Sequence, residues 1–116
     1  MSAKKILVAD DQDPNRKIIK DLLTAKGYQV IEAKNGAEAI KKAGENPDLI
    51  LLDIVMPDID GFAVAQKLKK GTKFIMLTAH EDGEVIKKAF AAGALDYISK
   101  PFQPADLLQK IAKYLG

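Results

Sequence analysis

Residues 49–61 read LILLDIVMPDIDG, an apolar run that ends abruptly in a carboxylate. Residues 49–52 are apolar at odd and even positions alike, which is typical of a strand buried on both faces of a parallel sheet. Asp53 directly follows this run, and a charge buried at the end of a sheet is costly without a partner. We interpret Pro57 and Gly61 as residues that shape the loop after Asp53. The stretch therefore predicts a buried strand whose terminal acid is a candidate functional residue.

Outside this stretch, four more short runs have the character of buried strands. They are residues 5–9 (KILVA), 28–32 (YQVIE), 74–77 (FIML) and 95–98 (LDYI). The second of these is the most polar, which suits an edge strand. Apolar residues at helical spacing fill every interval, so five helices are predicted between and after the strands. Strand–helix alternation repeated five times predicts an α/β fold, with a parallel sheet that carries helices on both faces.

Turn and capping residues indicate where these helices begin and end. Asp13 is expected to cap the first helix, with Pro14 in its first turn and Gly27 just beyond its end. The third helix is expected to run to the neighbourhood of Gly71, and the fifth to begin at Pro104.

The composition narrows the class of protein. The chain has 116 residues, 47% of them hydrophobic, which suits one domain over residues 1–116 with a substantial core. A net charge of +2, with lysines scattered over helix faces, gives no basic patch for nucleic acid or membrane. The absence of cysteine excludes disulfides and thiolate chemistry. No run is long enough for a membrane span, so a cytoplasmic location is expected.

Acidic side chains follow two of the predicted strands. Asp10 and Asp11 close the first strand and Asp53 closes the third. Ligands of open α/β sheets bind beyond the carboxyl ends of the strands, so these three acids would converge if the first and third strands were neighbours. Three close carboxylates repel one another, so protons or a cation must relieve them, and an all-oxygen site with several acids suits Mg²⁺. In that setting a carboxylate can act as a nucleophile toward a phosphoryl group.

Two further polar residues stand at strand ends. Thr78 closes the fourth strand, and Lys100 follows the fifth. Lys100 would offer a positive charge to a phosphate oxygen, while the Thr78 hydroxyl and the Ala79 N–H would donate hydrogen bonds. Taken singly, each is more often a capping or solvated residue. The functional signal is that all of them fall at successive strand ends.

Four segments carry a resemblance to a known family. They are residues 6–11 (ILVADD), 51–61 (LLDIVMPDIDG), 76–79 (MLTA) and 96–102 (DYISKPF). In this order and spacing the chain resembles a response-regulator receiver domain of two-component signalling, with a likeness to stand-alone chemotaxis receivers. The resemblance implies a flavodoxin-like (βα)5 three-layer sandwich with strand order 2-1-3-4-5, an order that periodicity alone does not give.

The resemblance also implies roles for the acidic residues. Asp53 matches the phosphoryl acceptor, Asp11 a direct Mg²⁺ ligand, and Asp10 a ligand that acts largely through water. The backbone carbonyl of Val55 matches a further ligand, and Mn²⁺ is an alternative ion. The apolar Val55 side chain gives no help in placing a water molecule for hydrolysis. His80 could help, but a solvated loop histidine is the favoured interpretation.

The remaining roles concern the phosphoryl group and the switch. Thr78 and Lys100 match residues that contact phosphoryl oxygens, and the Lys100–Pro101 bond matches one that is cis in the family. Tyr97 matches an aromatic residue whose side chain moves between exposed and buried positions. The implied partners are a sensor histidine kinase or a histidine phosphotransfer protein, and a target protein bound through the fourth helix, fifth strand and fifth helix.

Other functions fit less well. A phosphatase of the haloacid dehalogenase type needs a second carboxylate two residues after the nucleophile, where this chain has Val55. A flavin carrier needs a Ser/Thr/Gly-rich phosphate loop in place of residues 10–13. We therefore expect a switch, a monomer or weak dimer that catalyses only its own phosphorylation and dephosphorylation. Whether it acts alone or as the receiver of a larger regulator stays open.

Overall fold

The computed structural model describes residues 3–79 and 82–115, in which five strands and five helices alternate. The strands are β1 (Lys5–Ala9), β2 (Gln29–Ala33), β3 (Leu49–Asp53), β4 (Phe74–Thr78) and β5 (Asp96–Ser99). The helices are α1 (Asp13–Ala25), α2 (Gly36–Ala43), α3 (Gly61–Lys67), α4 (Gly83–Ala91) and α5 (Pro104–Leu115). The predicted alternation is confirmed, with strand boundaries within one residue of those expected.

The five strands form one parallel sheet in the order β2-β1-β3-β4-β5. The polar β2 lies at an edge, as its composition predicted. Ala9 pairs with Leu52 across β1 and β3, so Asp10 and Asp53, the residues that follow, emerge side by side. The winding reverses between β1 and β3, which opens a crevice at their carboxyl ends. This flavodoxin-like order is the one that the family resemblance implied.

Helices cover both faces of the sheet and give the three predicted layers. One core packs side chains such as Ile50 and Leu52 against α2, α3 and α4. The other packs Leu49 and Leu51 against α1 and α5. Adjacent strand residues therefore point into opposite cores, and β3 and β4 are buried along their whole length. This burial explains why their sequences are apolar without alternation.

Two predicted helix ends are wrong. The N-cap of α1 is Gln12, because Asp13 is already helical and its carboxylate is engaged by the Arg16 guanidinium. The third helix ends at Lys67, well before Gly71. Both the amide and the hydroxyl of Thr72 donate to the Lys69 carbonyl, at 3.1 and 2.7 Å, so a separate turn replaces the last helical turn.

The loop after β3 is joined to α2 by one side chain. Asp58 Oδ1 accepts the Gly36 N–H at 2.8 Å, and Oδ2 accepts the Ala37 N–H at 2.9 Å. The bonds from Ala37 and Gly36 lower the pKa of Asp58, because they favour its ionised form at the start of a helix.

We expect Asp58→Ala to lower the melting temperature by a few degrees at pH 7 and to change it little under acidic conditions. A depressed pKa in the folded state stabilises the protein above the ordinary carboxyl pKa, and this contribution is lost as pH falls through the folded-state value. Thermal melts followed by circular dichroism from pH 7 down to acid would measure this. The control is Asp21→Ala, an exposed acid on α1. A deficit that persisted undiminished in acid would contradict the prediction.

Candidate functional site

The carboxylates at the ends of β1 and β3 meet, as predicted. One oxygen from each of Asp10, Asp11 and Asp53 can be chosen so that all three lie within 4.8 Å of one another. Asp10 is completely buried and Asp53 is 5% exposed, whereas Asp11 faces solvent. The neighbouring positions of β1 and β3 in the sheet bring these acids together. The cluster therefore has two buried members and one accessible member.

Lys100 provides the positive charge inside this cluster. Its Nζ donates to Asp53 Oδ2 at 2.8 Å and lies 2.9 Å from Asp10 Oδ2. Its backbone N–H donates to the Thr78 carbonyl at 2.7 Å, which fixes the segment after β5 beside β4. The Lys100–Pro101 bond is cis, as the family resemblance implied. A lysine from the fifth strand end therefore reaches acids from the first and third.

The charges of the cluster perturb one another. Burial raises the pKa of Asp53, and the charge of Asp10 raises it further, although the hydrogen bond and charge of Lys100 oppose both effects. Burial lowers the pKa of Lys100, but its hydrogen bond with Asp53 and its close ion pairs with Asp53 and Asp10 outweigh this, so the net shift is upward. One ammonium thus faces three carboxylates, and negative charge remains in excess.

The cluster fits a hard divalent cation. Asp10 Oδ2 is fully buried and, within residues 3–79 and 82–115, accepts no well-directed hydrogen bond beyond its ion pair with Lys100. Asp11 adds an accessible carboxylate. All the ligand atoms that the three acids offer to a metal are oxygens, which suits Mg²⁺. Val55 follows two residues after Asp53, and its N–H donates to Asp53 Oδ1 at 3.3 Å. Its backbone therefore lies beside the acids.

A cleft of about 250 Å³ opens above the acids. It is lined by Asp11, Gln12, Asp53, Ile54, Val55, Thr78, Ala79 and Lys100. This volume accommodates a hydrated cation together with a phosphoryl group. Thr78 is buried at the end of β4 and Ala79 is exposed at the rim. The site residues that the sequence placed near a phosphoryl group thus surround one cleft, except His80, which lies outside the described residues.

Tyr97, the predicted switch residue, does not line the cleft. It lies on β5, partly buried, with its ring edge-on to the Phe90 ring at a centroid distance of 6.3 Å. Lys110 Nζ lies 5.1 Å from the ring centroid and donates to the Tyr97 carbonyl at 2.8 Å. The tyrosine therefore belongs to the surface formed by α4, β5 and α5.

The tight loop after β3 explains Gly61. A Cβ atom at this position would lie 2.5 Å from the Asp53 carbonyl oxygen and 2.8 Å from Ile54 Cα. The Gly61 N–H also donates to the Ile54 carbonyl at 2.7 Å, which closes the loop against the strand end. Gly61 therefore shapes this loop as predicted, because only a residue without a side chain lets the backbone at position 61 pack against Asp53 and Ile54.

Sequence reasoning missed Arg16. Its Nη1 donates to the Asp10 carbonyl at 2.9 Å, from a side chain that is 13% exposed. A signal was present, because Arg16 is the only arginine among 18 basic residues and lies five positions after Asp11.

Comparisons with known proteins agree with this geometry. The family model for the response regulator receiver domain matches residues 6–112. The chemotaxis protein CheY of Bacillus subtilis is 40% identical over 119 residues, covering 98% of this chain and 99% of that protein. The transcriptional regulatory protein ResD of the same organism is 43% identical, covering 96% of this chain and 48% of ResD. The chain thus spans all of one relative and about half of the other.

Solved structures give the same result. Chemotaxis protein CheY4 of Vibrio cholerae superposes with a TM-score of 0.91 at 32% identity, over 98% of this chain and all of that one. A two-component response regulator of Clostridium difficile gives a TM-score of 0.92 at 31% identity, over 97% and 95% of the two chains. Among the helices of the described residues, none has the length and apolar character needed to cross a bilayer.

Proposed function

This chain belongs to the response-regulator receiver family, and we propose that it is a phosphoacceptor switch in which Asp53 takes the phosphoryl group. One observation carries the choice of acceptor. Asp53 is a nearly buried carboxylate at the base of a cleft, beside two other acids and 2.8 Å from a lysine ammonium. The donor is a phosphohistidine of a sensor kinase or of a histidine phosphotransfer protein.

In the transfer, an oxygen of Asp53 forms a bond to phosphorus as the bond from phosphorus to the donor imidazole nitrogen breaks. The nitrogen keeps the electron pair, and Asp53 becomes an acyl phosphate. Lys100, already in contact with Asp53 Oδ2, supplies positive charge to the phosphoryl oxygens. Thr78 and Ala79 both line the cleft, and the Thr78 hydroxyl and the Ala79 N–H would orient the same oxygens.

The proposed cofactor is Mg²⁺, or Mn²⁺ with the same oxygen ligands. Asp11 and Asp53 would hold it directly, Asp10 through water, and the Val55 carbonyl would complete the protein ligands. A bound divalent ion offsets the negative charge of the phosphoryl group and of the three acids. The ion pair of Lys100 with the fully buried Asp10, at 2.9 Å, holds the lysine ammonium beside the acids.

The output of the switch is a change of surface. Negative charge on Asp53 would draw Thr78 toward it and vacate space into which Tyr97 turns. The surface of α4, β5 and α5, which exposes Phe90 by 46%, would then bind a target protein differently. A preference of a few kcal/mol between two states is enough to shift the population. Hydrolysis of the acyl phosphate resets the switch, and we expect the chain to turn over no other substrate.

Two relatives bear on whether this switch acts alone or within a larger regulator. CheY, which the chain spans completely, supports a domain that acts alone. ResD, of which it spans about half, supports a receiver joined to further chain. In either setting we propose that this domain contacts proteins and not nucleic acid; the cytoplasmic location stays a prediction.

The experiment is phosphorylation by a small donor. Incubation with acetyl phosphate and Mg²⁺ is expected to give a single phosphoryl adduct by intact mass, and chelation of Mg²⁺ by EDTA is expected to prevent it. Hydroxylamine should remove the adduct, because it cleaves acyl phosphates and leaves phosphate esters intact. No adduct under any of these conditions, or one that survives hydroxylamine, would overturn the proposed function.

A further inference from the structure

Arg16 connects three elements at the edge of the acidic cluster. From α1, its Nη1 donates to the Asp10 carbonyl at 2.9 Å, and its Nη2 pairs with Asp13. Its Nε donates to Glu32 Oε1 on β2 at 3.3 Å. A guanidinium with 13% of its side chain exposed thus contacts the end of β1, the start of α1 and the neighbouring strand.

The Asp10 carbonyl belongs to the peptide that joins Asp10 to Asp11. Two other hydrogen bonds fix Asp10. The Asp10 N–H donates to the Ala33 carbonyl at 3.1 Å, and Asp10 Oδ1 accepts the Gln12 N–H at 2.9 Å. The Asp11 carboxylate has no hydrogen bond or ion pair with any other described residue. The backbone alone therefore sets the position from which the Asp11 side chain extends, and the bond from Arg16 fixes the preceding peptide plane.

Arg16 also pairs with two acids that do not belong to the cluster of Asp10, Asp11 and Asp53. Asp13 and Glu32 both lie near the end of β1, and both pair with its guanidinium. Burial lowers the pKa of Arg16, but the hydrogen bonds and charges of Asp13 and Glu32 outweigh it, so the side chain stays charged. A lysine cannot replace this arrangement, because an ammonium lacks the planar fork that reaches several acceptors in fixed directions.

We infer that Arg16 is a positioning residue of the cation site, which holds the Asp10–Asp11 peptide so that both carboxylates face the same ion. This inference rests on the proposed Mg²⁺ site. Residues that orient metal ligands typically contribute ten- to a hundredfold to metal affinity. Because Arg16 does not touch the cleft, its effect is transmitted through the backbone.

The test is the Mg²⁺ affinity of folded protein, measured by isothermal titration calorimetry well below the melting temperature. We expect Arg16→Met to weaken Mg²⁺ binding about tenfold or more, and Arg16→Lys to do the same although it keeps the charge. The matched control is Lys20→Met. Lys20 also pairs with Glu32, at 3.3 Å, but it does not reach the Asp10 carbonyl. The Lys20→Met protein should therefore bind Mg²⁺ with wild-type affinity.

A second readout needs no metal. Amide hydrogen exchange of Gln12, followed by NMR in metal-free protein, should be faster by about tenfold in both Arg16 variants than in Lys20→Met, because a released peptide weakens the bond to Asp10 Oδ1. The positioning role would be overturned if Arg16→Lys exchanged the Gln12 amide at the wild-type rate. It would also be overturned if that variant bound Mg²⁺ with wild-type affinity. If the wild type itself bound no Mg²⁺, the proposed function would fail, and Gln12 exchange would still decide whether Arg16 holds the Asp10–Asp11 peptide.

Discussion

Asp53→Asn is expected to take up no phosphoryl group from acetyl phosphate and Mg²⁺, while unfolding at a temperature no lower than the wild type. An amide is too weak a nucleophile to form the acyl phosphate, so the loss should be complete. The stability follows from the charges. Burial and Asp10 both disfavour the ionised form of Asp53, so a neutral isostere removes repulsion and leaves Lys100 paired with Asp10.

Intact mass and thermal melts on the same samples would measure both parts of this prediction. Asp21→Asn is the matched control, because Asp21 is an exposed acid on α1 whose only described ion pair is with Lys17, at 3.4 Å. It should form the adduct as the wild type does. A full adduct on Asp53→Asn would show that another residue is the acceptor. A large loss of stability would show that the Asp53 carboxylate is needed to hold Lys100.

The strands were predictable because burial on both faces leaves a simple signal in the sequence. Residues 49–52 and 74–77 are apolar at every position, and the structure buries all of them. The order of the strands was not predictable in this way. Which strands are neighbours depends on pairings such as Ala9 with Leu52, 43 positions apart, and periodicity carries no information about them. That order came from the resemblance to receivers.

In the candidate site, too, the residues were predictable from local sequence but their contacts were not. Asp10, Asp11 and Asp53 stood out because they fall, together with Thr78 and Lys100, at successive ends of the predicted strands. The contacts that organise them are harder to predict: Lys100 reaches Asp53 from 47 residues away, and the single arginine, Arg16, donates to the backbone carbonyl of Asp10, an acceptor that no residue type marks in the sequence. The N-cap assigned to Asp13 failed for a related reason. Its carboxylate had a stronger partner in Arg16 than the free N–H groups of the helix.

Lys100→Met is expected to lower the free energy of unfolding by about 3 kcal/mol without Mg²⁺. The substitution keeps the apolar stem but removes the ammonium that lies 2.8 and 2.9 Å from two buried carboxylates. Asp10 and Asp53 would then face each other in a low-dielectric site with no compensating charge. Urea unfolding in EDTA would measure the loss, and the same titration in saturating Mg²⁺ should recover part of it, because the ion binds the folded state.

Lys110→Met is the control, because it removes a lysine from ion pairs outside the cleft and leaves Asp10 and Asp53 paired with Lys100. Lys110 is 25% exposed and lies 3.8 Å from Asp96 and 3.7 Å from Asp106, outside the cleft. We expect that variant to lose no more than about 1 kcal/mol and to respond to Mg²⁺ as the wild type does. Adding Asp10→Asn to Lys100→Met should restore stability, since it removes one of the two uncompensated charges. Equal losses in the two lysine variants, or a double variant less stable than Lys100→Met, would show that the uncompensated charges of Asp10 and Asp53 do not cause the loss.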